Sequence, residues 1–123
     1  MINKPIEQIT EKDLQSLIDN TVLERKNLEY KQTLQISSDS ERKEFLADVS
    51  SFANAGGGNL IFGIATENDI PKTLSGIDIT PDGITRLDSI IRDGVEPRLP
   101  SLTIQPVLLS NSKNVLIIRI TKS

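Results

Sequence analysis

Three consecutive glycines, Gly56-Gly57-Gly58, separate a polar run with helical periodicity from an apolar run with β character. Glycine lacks a Cβ, so its backbone reaches positive φ and approaches other backbone closely. A helix that stops this abruptly and passes into a strand fixes how the first half of the chain packs on the second. The run before the glycines opens on Ser38-Asp-Ser-Glu41, a capping box. It then places Phe45, Leu46, Val49, Phe52 and Ala53 on one 3.6-residue stripe, which predicts a helix over 41–55. Residues 59–65 after the glycines are apolar on both faces and predict a central strand.

The remaining elements follow from the same periodicities. Thr10-Glu-Lys-Asp13 is a second capping pattern, followed by Leu14, Leu17 and Ile18 at helical spacing and an end near Asn20. Residues 28–34 alternate, with Leu28, Tyr30 and Leu34 on one side and Glu29, Lys31 and Thr33 on the other, which predicts a half-buried strand. Residues 72–77 fit a short return strand. Thr80-Pro81 starts a helix whose buried face is Ile84, Leu87, Ile90 and Ile91, with Gly94 as its stop. A stiff loop with two prolines, 96–100, leads to strands at 102–108 and 115–120, and Pro106 marks the first of these as an edge or bulge. The fold class is α+β: a single domain with a mixed β-sheet of about five strands covered by two to three helices.

At 123 residues the chain is one domain's worth. Its net charge of −3 excludes coating nucleic acid by bulk charge, so a nucleic-acid site must be a local basic patch. The absence of Cys and His removes disulfides, thiolate chemistry and the usual general base and transition-metal ligand. No secretory signal opens the chain, and no apolar run approaches the ~18 residues of a membrane span. A cytoplasmic protein without a membrane partner is the default expectation. The chain stops just after the apolar run 115–120, which suggests a domain excised from a longer protein.

Three sets of residues are candidates for chemistry. Glu24 and Glu29 are paired carboxylates that converge only if the chain turns or bulges between them, since an odd offset puts them on opposite strand faces. Brought together they could hold Mg²⁺ or Mn²⁺ for phosphodiester cleavage, with Lys31 on a phosphate. The same residues equally fit a charged outer face with a Glu29–Lys31 pair. The glycine turn is the second set. Helix, glycines, strand is the reverse of the order in a P-loop or dinucleotide fingerprint, which favours a tight helix-to-strand turn. Asn54 beside it could cap the helix or reach a ligand. The basic residues Arg25, Lys26, Lys31, Arg42, Lys43, Arg86, Arg92 and Arg98 are scattered, and most fit solvated faces.

Two motifs together carry a resemblance. Glu24-x4-Glu29-Tyr30-Lys31, then Phe52-Ala-Asn-Ala-Gly-Gly-Gly-Asn-Leu-Ile-Phe-Gly-Ile64, resemble the AlbA_2 domain, also called the Schlafen AlbA_2 or divergent AAA-4 domain, over about residues 14–123. The first thirteen residues are then an N-terminal extension. The resemblance implies a nucleic-acid-binding module, for DNA or RNA, at the N-terminus of a larger bacterial protein of the kind described as transcriptional regulators or ATP-binding proteins. Fused C-terminal domains are expected with it. So is a homodimer, because related domains pair into two-lobed grooves. Nucleic-acid contact is expected of Lys31, Asn54, Gly56, Gly57 and Arg98. It also implies an alternative, the divalent-metal-dependent endoribonuclease of animal Schlafen proteins, carried onto Glu24, Glu29 and Lys31. Where that family commonly has Asp near 65 or 66, this chain has Ala65 and Thr66, and Glu67, or else Asp69, could substitute as the third catalytic carboxylate. A non-enzymatic oligomerisation or sensor platform using 115–120 and the adjoining edge strand is the third reading.

Overall fold

The computed structural model describes residues 4–94 and 102–121. A 3-10 turn at Ile6–Gln8 precedes α1 (Glu11–Asp19), β1 (Leu28–Lys31), α2 (Asp39–Asn54), β2 (Gly58–Phe62), β3 (Ile64–Glu67), β4 (Ile70–Leu74), α3 (Pro81–Gly94), β5 (Leu102–Leu108) and β6 (Asn114–Ile120). Four strands form the main sheet in the order β1-β2-β6-β5, and β3 and β4 form a separate two-stranded ribbon. The main sheet is mixed: β1 and β2 run parallel, whereas β2–β6 and β5–β6 are antiparallel.

Both faces of this sheet are covered. Alternate residues of the central strands point to opposite sides. Leu60, Phe62, Leu116, Ile118 and Ile120 pack under Phe45, Val49, Phe52 and Ala53 of α2 and Leu87 and Ile91 of α3. Ile61, Val115 and Ile117 face the other way, against Leu14 and Leu17 of α1, Ile6, Ile9 and Ile64. The helix starts form where the capping patterns place them. The Thr10 and Ser38 caps both close full capping boxes, and Thr80 Oγ1 accepts from the Gly83 N–H at 3.0 Å. Ile84 and Ile90 of α3 are only half-buried.

Three expectations change. The predicted strand 59–65 is two strands, because Gly63 bends the chain at φ +111° and its carbonyl accepts from the Gly76 N–H at 2.8 Å. A Cβ at Gly63 would lie 3.0 Å from Gly76 Cα and 3.2 Å from Val115 Cγ2, so backbone packs on backbone there. The α+β class with a mixed sheet stands, the strands dividing into a four-stranded sheet and a ribbon. The predicted strand 28–34 ends at Lys31. Leu34 therefore escapes the alternation and packs with the α2–α3 side, opposite Leu28 and Tyr30. Finally, the strand predicted at 72–77 is β4, which starts earlier, at Ile70, and ends at Leu74. The two-proline loop and Arg98 lie outside the described residues. No helix among the described residues is long and apolar enough to cross a membrane.

Candidate nucleic-acid interface

The chain does turn between Glu24 and Glu29. The Arg25 N–H donates to the Leu28 carbonyl at 2.9 Å and the Leu28 N–H returns to the Arg25 carbonyl at 3.0 Å, leaving Lys26 and Asn27 at the tip. This tip docks on the glycine turn, where the Asn59 N–H donates to the Asn27 carbonyl at 2.9 Å. Gly58 makes the docking possible. A Cβ there would fall 2.7 Å from the Asn27 carbonyl carbon and Cα, closer than real Cβ atoms come. Arg25, Lys26 and Asn27 on one side, and Ala55, Gly56, Gly57 and Gly58 on the other, line an open cleft of about 420 Å³. Arg25 and Lys26 are exposed, and no carboxylate lines the cleft.

The glycines themselves are turned inward. The Gly57 N–H donates to the Phe52 carbonyl at 2.8 Å and the Gly56 N–H to the Ala53 carbonyl at 3.4 Å, closing the C-terminus of α2. Both have positive φ. They contribute a low, Cβ-free wall to the cleft rather than amide donors. Asn54 is exposed on the last turn of α2 and is not among the cleft's lining residues.

β1 is an edge strand, and its outer side is closed by the segment that precedes it. Glu24 Oε2 accepts from the Tyr30 N–H at 3.0 Å, and the Tyr30 hydroxyl donates to the Val22 carbonyl at 2.6 Å. Burial pushes the Glu24 carboxyl above its ordinary range. The Tyr30 N–H opposes that shift, and the charges of Glu29 and Asp69 add to it. Burial also pushes the Tyr30 phenol up to about 12, with Glu24 adding to the effect. Glu24 thus has an architectural role as acceptor for an edge amide that no strand pairs.

Glu29 and Lys31 share the other face of β1. Lys31 Nζ lies 3.2 Å from Glu29 Oε2 and 3.5 Å from Asp48 Oδ2 of α2. Burial works against the Lys31 charge, but the two carboxylates outweigh it and raise its pKa. Lys31 also lines a second, smaller cavity of about 90 Å³ with Thr33, Gln35, Glu41, Glu44, Phe45, Asp48 and Phe62.

Asp69, rather than Glu67, is the carboxylate that reaches Glu24. The β3–β4 turn is made by Asn68 and Asp69 at φ +54° and +65°, the backbone of a two-residue hairpin turn that Asn and Asp tolerate. Sequence reasoning named Glu67 as the further catalytic candidate, with Asp69 as its alternative. The Asn-Asp pair marked the turn at 68–69. Glu67 is exposed at the end of β3. A metal cage does not result: among the described residues no three His, Cys, Asp or Glu side chains form a group that could hold a metal ion. Glu24 Oε2 accepts from the Tyr30 amide, and Glu29 Oε2, a buried oxygen, lies beside Lys31 Nζ without a well-formed hydrogen bond.

A comparison with curated proteins found no match. A family model described as Schlafen, AlbA_2 matches residues 24–123, which span both the Glu24-to-Lys31 motif and the glycine turn. The match begins at Glu24, the residue that closes the β1 edge, and it covers most of the chain; the protein belongs to the Schlafen AlbA_2 family.

Proposed function

We propose that this domain is a nucleic-acid-binding module of a regulator-like protein, gripping phosphates at the cleft between the 25–27 turn and the glycine turn. Family membership supports a role with nucleic acid. The observation that carries the location is the pairing of two exposed cations, Arg25 and Lys26, with a wall of glycine backbone and no carboxylate. Side chains that would hold a phosphate backbone away are missing from that wall. Arg offers a planar, multi-donor head and Lys a mobile point charge, the two usual ways of meeting phosphate oxygens. The overall charge of −3 keeps the grip local and modest in strength.

Fluorescence anisotropy with labelled DNA and RNA at low salt tests this. Binding is expected, falling as salt rises with a slope set by the few phosphates neutralised, roughly 0.7 to 0.9 per phosphate on logarithmic axes. Arg25→Ala/Lys26→Ala is expected to lower that slope by between one and two. Salt-independent binding, or an unchanged slope in the double variant, would remove the cleft from the interface. The nuclease alternative gains no comparable support: among the described residues no three carboxylates gather into a group that could hold a metal ion.

A further inference from the structure

Resting on the nucleic-acid reading above, we infer that the ligand is a duplex held along its phosphates, not a single strand held by its bases. The inference comes from the aromatic inventory. The whole chain has one Tyr, three Phe, no Trp and no His. All four rings are inside the fold: Tyr30 is 4% exposed, Phe45 5%, Phe52 8% and Phe62 4%. Each has a packing role there. Phe45 of α2 meets Phe62 of β2 with ring centroids 5.9 Å apart, and Phe52 joins the same core. Tyr30 packs on the opposite face and ties its hydroxyl to Val22.

Proteins that hold single strands do so mainly by stacking successive bases on exposed aromatic rings, with a basic groove tracking the backbone. Sequence-specific readers of RNA loops use the same rings or arginine planes. This domain has the basic element and lacks the aromatic one. In the cleft, only Arg25 offers a guanidinium plane of the kind that stacks on bases, and no aromatic ring lines it. Without a stacking platform, unstacking a base gains nothing that compensates its cost. A duplex keeps its bases stacked on one another and presents phosphates at fixed spacing. That is what two cations on a rigid turn can address. The turn is rigid because Arg25 and Leu28 exchange both backbone hydrogen bonds and Asn27 is docked against Gly58.

The 123-residue chain is the reagent for the test. Its affinity is measured for RNA and DNA duplexes of about 16 base pairs and for oligo(U) and oligo(dT) of the same length, at one low salt concentration. Both duplexes are expected to bind at least about tenfold more tightly than either single strand. Arg25→Lys, which keeps the charge and removes the plane, is expected to hold duplex affinity within about twofold, whereas Arg25→Ala/Lys26→Ala loses about tenfold or more. Single strands binding as tightly as duplexes, or Arg25→Lys losing as much as Arg25→Ala/Lys26→Ala, would overturn the inference while leaving nucleic-acid binding intact. No binding to any of the four probes would instead overturn the nucleic-acid reading itself, and this inference with it.

Discussion

Two cavities lie along β1 and α2, one between the turn before β1 and the turn after α2, the other between the end of β1 and α2 itself, and they have opposite chemistry. Just before β1 and just after α2, Arg25 and Lys26 face glycine backbone with no acid lining the cleft. At the end of β1 and the first turns of α2, Lys31 is surrounded by Glu41, Glu44 and Asp48. The pair of elements has sorted its charge along its length. A chain with a net charge of −3 repels a polyanion on average, so the sorting decides where one is tolerated. The difference also separates two lysines that look alike in sequence. Lys26 is exposed at a turn tip, while Lys31 is held by two carboxylates and is not free to meet a phosphate without leaving them.

The basic end depends most on Gly58. Gly58→Ala is expected to cost ~3 kcal/mol, combining a positive φ with a Cβ driven into Asn27. Gly56→Ala, with positive φ but open space, is expected to cost only ~1 kcal/mol. Urea unfolding of the two variants reads the difference, and equal losses would mean that the turn tip is not docked as described. Next in size is Glu24→Leu, which leaves the Tyr30 N–H without its acceptor and is expected to cost ~2 kcal/mol. A loss near zero in the same unfolding assay would show that water serves that edge equally well. The charge contrast itself is tested by reversal. Arg25→Glu/Lys26→Glu is expected to weaken duplex binding by about tenfold or more, roughly 1.4 kcal/mol, against about twofold or less for Glu44→Lys at the other end. Equal effects would erase the distinction between the two ends.

The smallest effect is on pH dependence, where the carboxylates divide by sign. Glu24 is lifted above its ordinary 4.5, first by burial, so the folded chain holds this proton to higher pH than the unfolded chain does. Its ionisation therefore subtracts stability as pH rises through 4.5 and above. Asp13 and Glu41 behave oppositely. Hydrogen bonds, chiefly from the Thr10 N–H and the Ser37 hydroxyl, hold them below 3.8 and 4.5, so their contribution is present at neutral pH and is lost as pH falls. Glu24→Gln keeps an acceptor for Tyr30 and removes the titration. Its melting temperature is expected to decline less than that of wild type as pH rises through 4.5 and above, with no change in the loss at lower pH.

Much of the fold was legible because local chemistry and tertiary packing agree. The capping boxes at Thr10 and Ser38, the apolar stripe of α2 and the edge position of β5 with Pro106 all stand as the residues indicate. The break at Gly63 was not legible. It sits within an unbroken apolar run, and what bends the chain there is Gly76, thirteen residues away in sequence, meeting it backbone to backbone. The side taken by Leu34 was missed for a related reason, since alternation holds only while the strand lasts. At the candidate site, sequence identified Glu24 and Glu29 but not how they are used. Whether an odd-spaced pair converges depends on the Arg25–Leu28 turn. Whether a converged pair is free depends on Tyr30, Lys31 and Asp48. Arg25 and Lys26 looked like two of many scattered cations until the glycine turn was seen to face them.

The Tyr30 hydroxyl, tied to Val22 beneath the closed β1 edge, also makes the domain report on itself. It is the chain's one tyrosine, and there is no tryptophan, so near-ultraviolet absorbance and emission come from a single known position at the edge. With its phenol pushed up to about 12, the ring stays protonated while the edge is closed and yields tyrosinate near pH 10 only when the edge opens. An alkaline absorbance titration therefore gauges one strand edge without any label.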